Sequence, residues 1–243
     1  MPYDPDTAIG GPSARFPQTR WSVIRAAAGE GPAAGEALSS IVGIYWKPVY
    51  KYIRIRWKKS NEDAKDLVQA FLAALLEQDI LAKFDPARGT FRDYMRACVD
   101  RFVLKQYEFS RRIKRGGALP PALDFEAADR ELASARADSP EDVFLREWQR
   151  QTFTLALADL RSYCRENGHD LRYRVFESYD LAEAGRPRYA EIAAEFGISV
   201  TTVTNYLAWA RRELRRMVLL RLEPVTSGAS ELRAEARVLF GPL

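Results

Sequence analysis

Residues 189–205 read Tyr189-Ala190-Glu191-Ile192-Ala193-Ala194-Glu195-Phe196-Gly197-Ile198-Ser199-Val200-Thr201-Thr202-Val203-Thr204-Asn205. The spacing predicts a short helix, a tight turn and a second helix. Small Ala193 lets the two helices cross closely, and Gly197 can adopt the positive φ that a sharp turn demands. Ile192, Phe196, Ile198 and Val203 form the apolar wedge between them. Ser199 is placed to cap the second helix, whose first turns carry Thr201, Thr202, Thr204 and Asn205. Arg211, Arg212, Arg215 and Arg216 follow on the same helix. Short hydrogen-bonding side chains at the start of such a helix match base edges in a major groove, and the later arginines suit phosphates. The plainer reading is a helical hairpin with a solvated basic face. So many positions fit at once that a helix-turn-helix from about Arg188 to Met217 is preferred. Its candidate DNA contacts are Ser199, Thr201, Thr202, Thr204, Asn205, Arg211 and Arg212.

Working outward, every strong periodic signal is helical. Ser139-Pro140-Glu141-Asp142 has Ser at the N-cap, Pro at the first helical position and acids in the first turn, predicting a helix to about Glu166. A shorter helix, roughly Asp170 to Leu181, leads through Gly185-Arg186-Pro187 into the motif. Downstream, Pro224, Ser227 and Gly228 break the helix, and Glu231 to Phe240 forms another short one. Its Leu232, Val238, Leu239 and Phe240 are read either as docking on the helix-turn-helix half or as engaging a regulator.

The first half is also helical. Leu38 to Lys59 is amphipathic, with Tyr45, Val49, Tyr52 and Ile53 apolar and Lys47, Lys51, Arg54, Lys58 and Lys59 polar; Pro48 either kinks it or begins a second helix. Ser60-Asn61-Glu62-Asp63 is a capping box. The helix after it places Ala64, Leu67, Val68, Phe71, Leu72 and Leu75 on one face, and Glu62, Asp66, Gln69, Ala73 and Glu77 on the other. Phe84-Asp85-Pro86-Ala87-Arg88-Gly89-Thr90 is an ordered turn. From Phe91 a long helix aligns Phe91, Met95, Cys98, Phe102 and Val103, interleaved with Arg92, Arg96, Arg101 and Lys105. A basic run, Arg111, Arg112, Lys114 and Arg115, ends it. Gly116-Gly117 and Pro120-Pro121 then open an acidic, Ala-rich linker to Asp138, with partial helix allowed. The expected fold class is all-α: two small helical bundles joined by a flexible linker. Its parts are a disordered tail (1–15), a first bundle (16–115), the linker (116–138), a second bundle with the helix-turn-helix (139–222) and a C-terminal extension (223–243).

Charge is unevenly spread. Residues 16–115 hold 19 basic and 11 acidic side chains, net +8, whereas residues 116–150 hold 4 and 8, net −4. A positive first half points to an anionic partner, nucleic acid foremost. Cys98 and Cys164 show neither pairing pattern nor metal-ligand spacing and read as buried reduced thiols. With no apolar leader and no apolar run of about 18 residues, a soluble cytoplasmic protein is expected, without membrane, cofactor or metal.

The first half discriminates among proteins that carry a helix-turn-helix. The run Asn61-Glu62-Asp63-Ala64-Lys65-Asp66-Leu67-Val68-Gln69-Ala70-Phe71, the aromatic turn, and Gly89-Thr90-Phe91-Arg92-Asp93-Tyr94-Met95 together resemble region 2 of sigma-70-type factors. The combination is similar to the extracytoplasmic-function (ECF) class, which keeps regions 2 and 4 only, and the second half resembles region 4. The segments Phe16-Pro17-Gln18-Thr19-Arg20-Trp21-Ser22, Asp85–Gly89, Glu147-Trp148 and Glu231-Leu232-Arg233 resemble one ECF-like subgroup, extending the likeness over most of residues 16–240. The resemblance implies that Asp66, Gln69 and Glu62 meet the β′ clamp helices of core RNA polymerase, with the β flap a further contact. It implies that the loop 82–91 captures a flipped base of the minus-ten element, with Arg88, Thr90, Arg92, Tyr94, Arg96, Arg101 and Lys105 on promoter DNA. Phe71, Phe91 and Phe102 are read as core, while Tyr94 stays open between core and DNA. The subgroup often has Lys or Arg early in the recognition helix, where this chain has Thr201, Thr202 and Thr204. An anti-sigma factor or other regulator is a further implied partner.

Two other readings compete with a non-enzymatic sigma factor. A stand-alone helix-turn-helix regulator would leave the acidic face and the basic helix of the first half without a purpose. A DNA-processing enzyme would need clustered nucleophiles or metal-binding carboxylates. The single histidine, His169, reads as a surface turn residue, and the carboxylates are dispersed.

Overall fold

The computed structural model describes residues 32–77, 80–110, 128, 139–182 and 185–241. The expected tail at 1–15, the segment Phe16–Ser22, the basic run 111–115 and all of the 116–138 linker except Ala128 lie outside these residues. Among the described residues the fold is all-α: α1 (Pro32–Arg56), α2 (Asn61–Glu77), α3 (Phe91–Ser110), α4 (Pro140–Glu166), α5 (Asp170–Asp180), α6 (Tyr189–Phe196), α7 (Val200–Leu222) and α8 (Ala229–Phe240). Short 3₁₀ turns lie at Leu81–Lys83, Pro86–Arg88 and Glu223–Val225.

The helix starts follow from local chemistry. Ser60 Oγ accepts the Asp63 amide at 3.1 Å, and Ser139 Oγ accepts the Asp142 amide at 3.1 Å. Each satisfies one of the amides that a helix N-terminus leaves without a partner. Pro140 occupies the first turn of α4, where a missing N–H costs nothing. Pro48 neither ends α1 nor begins a new helix; it is buried inside one continuous element.

Helix α1 is the hub. It packs against α2 and α3 on one flank and along α4 on the other. Ile41, Ile44, Tyr45, Val49, Tyr52 and Ile53 are all buried, and they belong to one core continuous with Phe144, Trp148 and Leu160 of α4. Aromatic edges stitch the flanks together. The Tyr45 ring lies 5.7 Å from Phe91 of α3 and 6.4 Å from Phe144 of α4, and Tyr52 lies 5.7 Å from Phe144. Each well-oriented pair adds about 1 kcal/mol beyond its buried area. Asp100 ties α3 to the end of α1, accepting from Tyr52 Oη at 3.0 Å and Trp57 Nε1 at 3.2 Å.

One residue departs from its expected side. Lys51, assigned to the polar face of α1, is only 2 % exposed, with Nζ 2.9 Å from Glu147 Oε1 of α4. The face that would meet water in an isolated bundle is here covered by α4. The ammonium is buried because a carboxylate from the covering helix accompanies it.

The second half packs α5 and α7 onto α4 and seats α6 on α5 and α7, and Arg221 of α7 makes a two-pronged ion pair to Asp159 of α4. Helix α8 returns toward the first half. It packs beside α7, but its Glu231 also reaches the Phe91 amide of α3 and its Phe240 packs on α4, so it does not dock on the helix-turn-helix half alone. No described helix is long and apolar enough to cross a membrane.

Candidate nucleic-acid interface

Two surfaces carry the residues singled out from the sequence. The first is built by the turn between α2 and α3. Asp85 caps its own 3₁₀ turn, accepting the Ala87 amide at 3.0 Å, with Pro86 fixing the following residue. Gly89 has φ 141°, a conformation that a β-carbon disfavours, and this lets the chain turn sharply into α3. Thr90 then caps α3, its Oγ1 accepting the Asp93 amide at 3.1 Å and donating to the Asp93 carboxylate at 2.9 Å.

This turn and one face of α3 enclose an open cleft of about 420 Å³, lined by Lys83, Phe84, Arg88, Tyr94 and Arg101 together with the acids Asp85 and Asp93, and Arg88 pairs with Asp85 at 3.3 Å. A shallower groove continues along Tyr94, Arg101 and Lys105. The floor is aromatic: Phe84 lies 5.2 Å from Phe91 and 5.3 Å from Tyr94. Phe91, Phe71 and Phe102 are buried, as read from the sequence. Tyr94 is partly a packing residue and partly a cleft residue. Its ring packs on Phe84 and its hydroxyl donates to the Ile80 carbonyl, yet it forms one wall of the cleft. Burial, with Cys98 beside it, pushes the Tyr94 phenol well above its usual range, so it stays a neutral donor.

The expected basic track along α3 is split by helix geometry. Tyr94, Arg101 and Lys105 share the cleft face, at successive spacings of seven and four residues. Arg92 turns the other way, its guanidinium 4.9 Å from the Trp148 ring and its Nε 3.3 Å from a Glu235 oxygen. Arg96 is half-buried and paired with Asp93 at 3.4 Å. Lys83 supplies a cleft cation that the sequence reading passed over, because it looked like the tail of the preceding segment rather than part of the turn.

On α2, Glu62 and Asp66 are exposed and Gln69 is half-buried, on the side away from Val68 and Phe71. Glu62 pairs locally with Lys65 at 3.0 Å.

The second surface is the helix-turn-helix. Gly197 sits at φ 64° and ψ 34°, in the left-handed region, and closes α6. Ile192, Ala193 and Val203 are buried in the crossing, with Phe196 and Ile198 partly buried beside them. The Glu191 carboxylate reaches back to the Arg188 amide at 2.8 Å and to its guanidinium, and these bonds hold its pKa below the usual carboxylate value.

Ser199 Oγ accepts the Thr202 amide at 3.0 Å and shares a hydrogen bond with the Thr202 hydroxyl at 2.8 Å. These two side chains therefore build the cap, and the outward face of α7 falls to Thr201, Thr204, Asn205 and Ala208, with Val200 at its edge; all five are exposed. Val200 and Ala208 escaped notice because neither bears a hydrogen-bonding group. Arg211 has a partner within the chain. It makes two hydrogen bonds to Asp180 of α5, at 2.8 and 3.0 Å, while its side chain stays about half exposed. Arg212 is exposed. His169 is half-buried with its ring 5.0 Å from Trp209, a packing contact rather than a bare surface turn.

No family model, no curated protein and no solved structure matches the chain. What can be said of its function therefore rests on its own residues.

Cys98 and Cys164 are both free and buried. Burial raises the thiol pKa of Cys98, and that of Cys164 to about 11, so both stay protonated and unreactive at neutral pH. No group of His, Cys, Asp and Glu side chains with metal-binding geometry occurs among the described residues.

Proposed function

We propose that the chain is a sigma factor of the ECF class, in which residues 16–115 act as region 2 and residues 139–222 as region 4, joined by the 116–138 linker. The observation that carries this reading is the coexistence on one chain of two surfaces, each suited to nucleic acid in a different way. One is a helix-turn-helix whose recognition helix exposes short side chains, suited to a duplex major groove. The other is a cleft in which Lys83, Arg88 and Arg101 stand beside the rings of Phe84 and Tyr94, a combination suited to an extruded base and a single strand.

In this reading Thr201, Thr204 and Asn205 read the minus-35 element, and Arg212 adds a phosphate contact. The cleft takes a minus-ten base beside Tyr94, with Lys83, Arg88, Arg101 and Lys105 along the backbone. Asp66 and Gln69, with Glu62, offer the exposed side of α2 to the β′ clamp helices of core polymerase. A stand-alone regulator would use the helix-turn-helix in the same way but would have no use for the cleft.

The test is reconstitution. Purified chain mixed with core RNA polymerase should form a complex and support initiation from a subset of promoters. The double substitution Asp66→Ala, Gln69→Ala should weaken the complex while helicity is unchanged, since neither side chain is in the core. A chain that binds duplex DNA but never core polymerase would make the regulator reading the right one.

A further inference from the structure

One further arginine stands beside α7 without belonging to the helix-turn-helix. Arg172, in the first turn of α5, is half-buried, with its guanidinium 4.8 Å from the Trp209 ring and 5.4 Å from that of Tyr206. His169 braces Trp209 in a T-shaped contact at 5.0 Å. Glu213, on the same flank of α7, is taken by Arg216 at 2.7 Å. Arg172 itself pairs with no carboxylate among the described residues, although the exposed Asp170 lies two positions before it. A cation in the first turn of a helix opposes the helix dipole, so the position does not serve α5 itself. The rings of α7 hold it there instead.

Helix geometry places this arginine at a flank of the recognition helix. From Ala208, on the outward face of α7, Trp209 lies about 100° round in one direction and Arg211 about 60° in the other. Arg211 is bonded to Asp180, the last residue of α5, while Arg172 near the first meets Trp209. Helix α5 therefore crosses beneath α7 and emerges on both flanks. A helix of about 10–12 Å diameter fills a major groove about 12 Å wide and about 8.5 Å deep. The phosphate backbones bordering the groove then come alongside the flanks. At one flank the charge of Arg211 is set against Asp180; at the other, Arg172 brings a cation that no carboxylate pairs.

The exposed first turns of α7 carry Thr201, Thr204 and Asn205, all neutral. The affinity that comes from neutralising phosphates must then be supplied by Arg212 and by the flanks. Rings over a guanidinium occupy its face, whereas its N–H donors lie in its plane and can fork onto phosphate oxygens.

We infer that Arg172 is a phosphate anchor for duplex DNA: Trp209 and Tyr206 hold its guanidinium at the flank of α7, where one backbone of the bound duplex passes. Helix α5 thereby becomes part of the DNA-binding surface. This rests on the helix-turn-helix reading above.

The experiment compares the full chain with Arg172→Gln and with Arg233→Gln, which makes the same change of charge at an exposed position of α8. The probes are a fluorescein-labelled duplex and one of its strands alone, followed by anisotropy between about 50 and 200 mM salt. On duplex, Arg172→Gln should reduce the slope of log K against log salt by about 0.9, the share of one phosphate contact. Arg233→Gln should keep the wild-type slope, and neither change should alter the slope on the single strand. A duplex slope unchanged by Arg172→Gln, or reduced equally by Arg233→Gln, overturns the inference and leaves the helix-turn-helix reading standing. An equal reduction on the single strand overturns the placement of Arg172 beside a groove. Wild type that binds no duplex at any of these salt concentrations overturns the helix-turn-helix reading itself, and the inference with it. Should Arg172→Gln lose helicity, wild type decides: bound duplex should shield Arg172 from phenylglyoxal, read by peptide mass. Modification as fast as in the free protein overturns the inference.

Discussion

Lys51 and Glu147 meet inside the molecule, 2.9 Å apart, with both side chains nearly inaccessible. Glu147 also pairs with Arg150 at 3.3 Å, and one of its oxygens has no hydrogen-bond partner. Removing one member of such a pair leaves the other charge desolvated, at a cost of about 3–5 kcal/mol. Lys51→Met leaves Glu147 with the largely exposed Arg150 and should lower the urea-unfolding free energy by up to about 3 kcal/mol. The double substitution Lys51→Met, Glu147→Leu should recover most of the loss, because the surroundings are apolar: Phe144 and Trp148 flank Glu147 on α4, and Tyr52 neighbours Lys51. A single variant as stable as wild type would mean that water reaches the pair. The position also shows the limit of reading one helix alone. A 3.6-residue period reports which residues differ from their neighbours, and a lysine among apolar residues is assigned to water unless its partner is known. Glu147 lies 96 positions away, on a helix whose orientation the period does not encode.

At the scale of elements, the features visible in the sequence are those made within about four residues. Ser60, Ser139 and Ser199 cap the helices they precede, and Asp85-Pro86 and Gly89 shape the turn into α3. Each depends on a side chain meeting a nearby backbone amide, which spacing alone specifies. What spacing does not reveal is competition for the same side chain. Thr202 was read as a base contact, yet its hydroxyl is drawn into the Ser199 cap, and Arg211 is drawn to Asp180 from a preceding helix. The turn within the helix-turn-helix gives a clean test. A β-carbon at position 197 would meet nothing within 4 Å, so only the backbone conformation at φ 64° opposes a side chain there. Gly197→Ala should cost about 1–2 kcal/mol in thermal or chemical unfolding. A loss much beyond that would mean that the α6–α7 crossing had shifted, and duplex DNA affinity would then fall out of proportion to stability.

For the molecule as a whole, the contacts that decide its shape are the most distant in sequence. Phe91 and Glu231 are 140 residues apart, and Arg92 and Glu235 are 143 apart. Reading the sequence identified a short helix at 231–240 with an apolar stripe, but nothing local says that its two glutamates face α3. Glu235 also makes this α8–α3 contact sensitive to pH. Burial raises its carboxyl pKa, opposed by Arg92 and reinforced by the neighbouring Glu231 and Asp93; the Tyr45 phenol, itself pushed up by burial, faces the same group. A raised carboxyl pKa means that the docked state binds its proton more tightly than the undocked state does. The associated stability is then full below the ordinary carboxylate value of 4.5 and is lost as pH rises through the raised value. Other carboxylates titrate in the same range, so the informative quantity is the difference between wild type and Glu235→Gln, whose amide does not titrate. Urea unfolding of both proteins across mildly acidic to neutral pH should show wild type losing stability relative to the variant as pH rises. Docking of α8, followed by exchange at the Phe91 amide, should weaken in the same window. A difference independent of pH would show that Arg92 fully compensates the buried carboxylate, and a difference of opposite slope would show that the ion pair outweighs burial.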